Sequence, residues 1–195
     1  MGTISALPVV DPRTLWADLA PCDHAVQIYG NDPRFLDGLE AYVDAGLRAG
    51  EGVLMIATAM HLHDLEERLR RKGVDVDAAR HEGRYVPRLA EDLLAAVMEG
   101  DWPDDRRFRG TLLALLRSAR GPGRQVRAFS EMVALLWARG HHAATIHLEL
   151  LWSNACAAEQ VPVLCAYPRD TFSRNANESI VEICRIHSRV APPLA

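Results

Sequence analysis

Gly50-Glu51-Gly52-Val53-Leu54-Met55-Ile56-Ala57 is the stretch that decides the fold. From Val53 to Ala57 every residue is apolar and none alternates with a polar neighbour, which is the pattern of a strand covered on both faces. Strands of that kind belong to parallel sheets, whose connections are helical crossovers.

The segments on either side have that form. Upstream, His24-Ala25-Val26-Gln27-Ile28-Tyr29 is a short strand, with Asp32 as an N-cap and Pro33 at the first helical position. Leu36, Leu39, Val43 and Leu47 follow at helical spacing, and Gly50 stops the helix. Downstream, Leu62, Leu65 and Leu69 mark a helix ending at Gly73, and Gly83–Pro87 is a weak strand. A helix with Leu89, Leu93, Val97 and Met98 comes next, then one over Asp105–Ala119 that buries Phe108, Leu112, Leu115 and Leu116. After the Gly121-Pro122-Gly123 turn come a strand over Gln125–Ser130, a helix over Glu131–Arg139, and a long helix over His141–Glu159. Val161–Tyr167 is the last strand, and Ile180, Ile183, Cys184 and His187 lie on a final amphipathic helix.

The alternation predicts an α/β fold with a mainly parallel sheet flanked by helices on both faces. One domain spans residues 21–191, preceded by a tail or short docking helix over 1–20 and followed by a tail over 192–195. Ligands of such sheets gather at the carboxyl ends of the strands, here Tyr29-Gly30-Asn31, Ala57-Thr58, Pro87, Ser130-Glu131 and Tyr167-Pro168.

The 195 residues are 49% hydrophobic and 25% charged, as in an ordinary globular protein. A net charge of -4 gives no basic face for nucleic acid or an anionic membrane. Four cysteines without a CxxC pair, and no signal-peptide pattern at Met1–Ser5, point to a cytoplasmic protein. No stretch approaches the roughly 18 apolar residues of a membrane span.

The loop Tyr29-Gly30-Asn31-Asp32-Pro33-Arg34 stands where a phosphate-binding loop would lie. It has one glycine, no lysine, and an aspartate that would repel phosphate; the only lysine of the 22 basic residues is Lys72, at the end of another helix. Nucleotide hydrolysis through a GxxxxGK[ST] loop is therefore not expected, and neither is an enzyme of that class. Glu131 follows a strand directly, as a ligand contact or as an acid in the first turn of a helix capped by Ser130. Glu149 lies between Leu148 and Leu150 with Trp152 near it, a setting in which a carboxylate needs Arg127, His24 or a ligand as partner. His61 and His63, like His141 and His142, lack the i, i+4 spacing of a helical metal site, so no metal and no cofactor are expected.

Five motifs in order resemble the MEDS family, the methanogen/methylotroph sensory domain. They are His24–Tyr29, Gly50–Ala57 with His61, Val126–Val133, Leu148–Asn154 and Val163–Pro168, backed by Phe172, Ile183 and His187. The resemblance implies a RecA/KaiC-like three-layer domain with a degraded phosphate loop. It implies binding of small hydrophobic or hydrocarbon-derived molecules, and signalling to a kinase, an anti-sigma factor or a transcription regulator. On the family pattern His24, Arg127, Glu131, Glu149, Trp152, Asn154 and Tyr167 are ligand-binding candidates. Ser130 stands where the family often has glycine before the Glu-Met-Val run.

The resulting expectation is a non-catalytic sensor with a pocket walled by Tyr29, Trp152 and Tyr167, in which Glu131 or Glu149 and His24 fix polar groups. With no output module before Ala195, the signal is expected to act on a separate protein; a homodimer is compatible, and direct contact with nucleic acid or membrane is not expected. A nucleotide binder that uses arginines, and a ligand-free interaction scaffold, are the two other readings.

Overall fold

The computed structural model describes residues 19–30, 32–172 and 176–191. Six strands form one sheet: β1 (His24–Tyr29), β2 (Gly52–Ala57), β3 (Tyr85–Leu89), β6 (Val126–Ser130), β7 (Val163–Pro168) and β8 (Arg189–Val190). Their order is β3-β2-β6-β7-β1-β8 and every neighbouring pair is parallel. Eight helices are described: α1 (Asp32–Arg48), α2 (Ala59–Arg71), α3 (Val76–His81), α4 (Ala90–Val97), α5 (Asp105–Arg120), α6 (Met132–Ala138), α7 (His142–Glu159) and α8 (Ala176–Ile186).

Side-chain alternation divides each strand between two cores. Val53, Met55 and Ala57 of β2 meet Phe35, Leu39 and Val43 of α1 and Leu65 and Leu69 of α2 on one face. Leu54 and Ile56 meet Leu94 of α4, Leu116 of α5 and Met132 and Trp137 of α6 on the other, where α7 and Ile183 of α8 also pack. This division follows from the connections. Crossovers from β1 to β2 and β2 to β3 run toward one edge, and those from β3 to β6, β6 to β7 and β7 to β8 run back. Right-handed crossovers in opposite directions place their helices on opposite faces. The result is the three-layer α/β arrangement that the apolar run in β2 implies.

The structure differs from the sequence expectation in four local respects. The buried face of α4 is Ala90, Leu94 and Val97, whereas Leu89 is half-exposed, because Leu89 ends strand β3 opposite Ala57 and does not belong to the helix. Helix α3 lies between Gly73 and β3, where the sequence pattern marks no helix. A two-stranded antiparallel ribbon, β4 (Met98–Glu99) with β5 (Trp102–Pro103), separates α4 from α5. Strand β8 extends the sheet beyond β1, with Ala25 opposite Arg189 and Val26 opposite Val190. Of the expected tails at 1–20 and 192–195, residues 1–18 and 192–195 lie outside the described residues.

Gly52 starts β2 where α5 crosses it. A Cβ there would come within 2.3 Å of the Ala119 carbonyl oxygen, a backbone atom that cannot swing aside. Gly110, on the exposed face of α5, has no atom within 4 Å of the corresponding point. Gly52→Ala should therefore destabilise by about 1–3 kcal/mol, as overpacking does. Gly110→Ala should stabilise by about 0.5–1 kcal/mol through helix propensity. Denaturant midpoints at constant m-value measure both.

Candidate functional site

The carboxyl ends of β1, β2, β6 and β7 open into a cavity of about 620 Å³. Tyr29 and Gly30 come from the end of β1, Thr58 from that of β2, Glu131 from that of β6 and Pro168 from that of β7. Met60 and His61 of α2, Ala134, Leu135 and Ala138 of α6, and the short 3-10 turn Arg169–Thr171 complete the lining. Its size is that of a small-molecule site, and its position is the one open parallel sheets use for ligands.

A histidine–carboxylate pair lies at the centre of this lining. Thr58 caps α2: its hydroxyl accepts the His61 amide at 3.4 Å, which fixes His61 in the first turn. The Thr58 amide in turn donates to Glu131 Oε2 at 2.8 Å. The other carboxylate oxygen, Oε1, is 2.5 Å from His61 Nδ1. Glu131 is itself placed by its amide, which donates to the Ile56 carbonyl and so ties the end of β6 to the end of β2. The edges of Tyr29 and Phe35, stacked 4.1 Å apart, confine the imidazole. Burial opposes charging His61, but the hydrogen bond and charge of Glu131 outweigh it and hold the pKa above the ordinary 6.5. His61 Nε2 is buried and has no hydrogen-bond partner. Burial, reinforced by the Glu131 charge, pushes the Tyr29 hydroxyl far above its usual range, so it stays protonated.

A second polar group lies inside the layer between the sheet and α7 and α8. Glu149 of α7 is 0% exposed. Its Oε1 accepts the Tyr167 hydroxyl at 2.5 Å. Its Oε2 lies 3.2 Å from His24 Nε2 and 3.4 Å from His187 Nε2. His24 Nε2 is also 3.4 Å from Cys165 Sγ, and the two imidazoles pack with centroids 4.1 Å apart. His187 Nδ1 donates to the Ile183 carbonyl at 2.8 Å, one turn back along α8. Burial works against ionised Glu149, yet the charges of His187 and His24 beside it hold its carboxyl well below the usual carboxylate range. Burial also lowers the pKa of His24; for His187 it is outweighed by Glu149, and the pKa rises. Glu149 is thus held as an anion, with His187 and His24 as its close neighbours. Burial raises both Cys165 and Tyr167, keeping thiol and phenol protonated.

The eight residues singled out from the sequence thus separate. Tyr29 and Glu131 line the strand-end cavity. His24, Glu149 and Tyr167 meet in the buried group, with Trp152 one turn along α7, buried edge-on against Phe108. Trp152 and Tyr167 therefore do not wall the cavity as expected. Arg127 does not pair with Glu149, because it faces the opposite side of the sheet. There its Nε meets Glu51 at 2.5 Å, its guanidinium donates to the Tyr42 carbonyl, and it lies 4.9 Å from the Tyr42 ring centroid. Asn154 is exposed and borders a separate groove between α5 and α7. Ser130 Oγ does accept the Met132 amide, at 3.4 Å, but the Glu131 carboxylate turns away from the helix start toward His61.

The sequence reading left His61, Cys165 and His187 out of the site. His61 carries a local signal, standing three residues after Thr58 at a strand end, where a capping residue and a strand-end ligand coincide. Cys165 is two residues before Tyr167 and hence on the same strand face. His187 lies four residues after Ile183 and continues its buried stripe.

A comparison with curated proteins found no match. A comparison with protein families matches residues 23–188 to MEDS, described as the methanogen/methylotroph, DcmR sensory domain. The match runs from the residue before β1 to the residue before β8 and so takes in both polar groups. On that evidence the chain belongs to the MEDS family of sensory domains.

Proposed function

We propose that the chain is a ligand-sensing domain that holds a small, largely uncharged molecule in the strand-end cavity and performs no chemistry on it. The observation that carries this reading is His61. Its Nδ1 is committed to Glu131, while Nε2 is buried without a partner in a residue that lines the cavity. A ligand with one hydroxyl, carbonyl or similar acceptor would satisfy that nitrogen, and its apolar body would lie against Met60, Ala134, Leu135 and Ala138. This fits the small hydrocarbon-derived molecules that the MEDS resemblance implies.

Electrostatics favours this over a nucleotide. Three carboxylates, Asp32, Glu131 and Asp170, line the cavity against the single arginine Arg169. A triphosphate would meet more like charge than opposite charge, with no lysine to reach its terminal group. We read the scaffold as a RecA/KaiC-type fold whose phosphate loop between Tyr29 and Arg34 has degenerated. Binding would order α2, α6 and the 169–171 turn around the ligand. That bias is passed to an output partner such as a kinase, an anti-sigma factor or a transcription regulator. Met60, 59% exposed at the edge of the cavity, puts ligand-dependent change at the surface.

A thermal-shift screen of short alcohols, ketones and halogenated alkanes, set beside ATP and GTP with magnesium, tests the reading. A ligand at about a hundredfold excess over Kd should raise Tm by about 5–10 °C. Shifts from nucleotides alone, or from nothing, would overturn it. Ala138→Trp, which fills the cavity from an exposed position, should abolish the response, and Glu131→Gln should weaken it about tenfold.

The His61–Glu131 pair also has a defined pH signature. Because the folded pKa of His61 lies above 6.5, the stabilisation from the pair is fully present below that value and is lost as pH rises through the folded pKa. Imidazole 15N shifts should place the His61 titration above 6.5 in the wild-type chain. In Glu131→Gln it should fall, because burial is then opposed only by the charges of Asp32 and Asp64.

A further inference from the structure

We propose that His24, Glu149, Cys165 and His187 form a four-donor binding site for a divalent transition-metal ion of the zinc type. One ligand atom from each residue lies within 4.8 Å of every other, and all four residues are buried. The expectation of no metal rested on spacing within single helices. It does not bear on donors brought together from β1, α7, β7 and the end of α8.

Three of the six donor–donor separations match those expected around one ion, and the other three are within 4.8 Å. Zinc bonds of 2.0–2.3 Å in a tetrahedron put neighbouring donor atoms about 3.3–3.6 Å apart. The observed spacings are 3.2 Å for His24 Nε2 to Glu149 Oε2, 3.4 Å for His187 Nε2 to the same oxygen, and 3.4 Å for His24 Nε2 to Cys165 Sγ. The orientations agree with the distances. Glu149 Oε2 and His187 Nε2 are buried without a hydrogen-bond partner, although they lie within ion-pair range of each other. Atoms that approach without aligning in a hydrogen bond are placed as donors converging on a common point.

The surrounding contacts leave these atoms free for that role. Tyr167 takes Glu149 Oε1, leaving Oε2, and the Ile183 carbonyl takes His187 Nδ1, leaving Nε2. Outer hydrogen bonds of this kind orient metal ligands. Two imidazoles, a thiol and a carboxylate suit zinc and its transition-metal neighbours, and are a poor set for magnesium or calcium, which take oxygen. The charges balance as well. When the ion enters, the Cys165 sulfur gives up its proton, an imidazole carrying a second proton gives that up as well, and these protons leave to solvent. The doubly positive ion then faces one thiolate, one carboxylate and two neutral imidazoles, a neutral set in a buried layer. Four protein donors leave no open position, so the ion would act as a clamp that joins α8 and β1 to the centre of the sheet. Nothing in this depends on what the strand-end cavity binds.

The test uses the full chain, produced in cobalt-supplemented medium because the site is closed once folded. The expected result is one cobalt per chain, with the visible bands of tetrahedral Co(II) and a thiolate-to-cobalt charge-transfer band in the near ultraviolet. Cys165→Ser should lose the charge-transfer band, while Cys22→Ser combined with Cys184→Ser should keep it. X-ray absorption on the wild-type chain, which needs no variant to fold, should show one sulfur and three nitrogen or oxygen neighbours. A wild-type chain without bound cobalt, cobalt without a sulfur neighbour, or a charge-transfer band that survives Cys165→Ser would overturn the site.

Discussion

Glu149 is a carboxylate with no access to water, held under a parallel sheet, and a charge so placed has to be compensated on every side. Tyr167 supplies a hydroxyl, His24 and His187 supply imidazoles, and Cys165 fills the remaining polar position. These residues belong to β7, β1, the end of α8 and β7 again, so the carboxylate fixes how those elements meet. The polar knot sets the register of α7 and α8 on the sheet, and it accounts for polar residues at the centre of an otherwise apolar face.

The strand-end cavity is built on that foundation, but differently. Its carboxylate, Glu131, is tied to a backbone amide and a histidine whose second nitrogen remains unused. The inner group is closed on itself by α7 and α8, whereas the outer group faces a cavity with exposed edges. The two differ accordingly: one lies inside the layers, and the other borders the cavity and leaves His61 Nε2 without a hydrogen-bond partner. The acidic lining, with Asp32, Glu131 and Asp170, makes the strand-end cavity an unfavourable place for a phosphate group.

Most of the architecture was legible from the sequence. The unbroken apolar run in β2 requires cover on both faces, and the glycines after α1, α2 and α6 end those helices where the backbone turns to positive φ. The phase of α4 was not legible, because Leu89 looks like the first residue of a helical stripe and only its pairing with Ala57 shows it to be strand. A two-residue strand such as Arg189–Val190 has no periodicity to read. Within the site, Tyr29 and Glu131 could be placed from strand ends alone. For Glu149 the sequence leaves Arg127 and His24 open as partners; His24 is the one found beside it, and Arg127 lies on the opposite face of the sheet. His61, Cys165 and His187 gain their roles only through contacts between elements distant in sequence.

The most direct measurement is an NMR titration that follows the Met60 methyl group and the backbone amides of Thr58 and Glu131. Small uncharged oxygen-bearing or halogenated organic molecules are added first, and magnesium ATP in a parallel series. The account predicts saturable shifts confined to those resonances and their neighbours for members of the first class, and none for ATP. Saturable shifts at the same resonances with ATP, together with silence from every uncharged ligand, would contradict it.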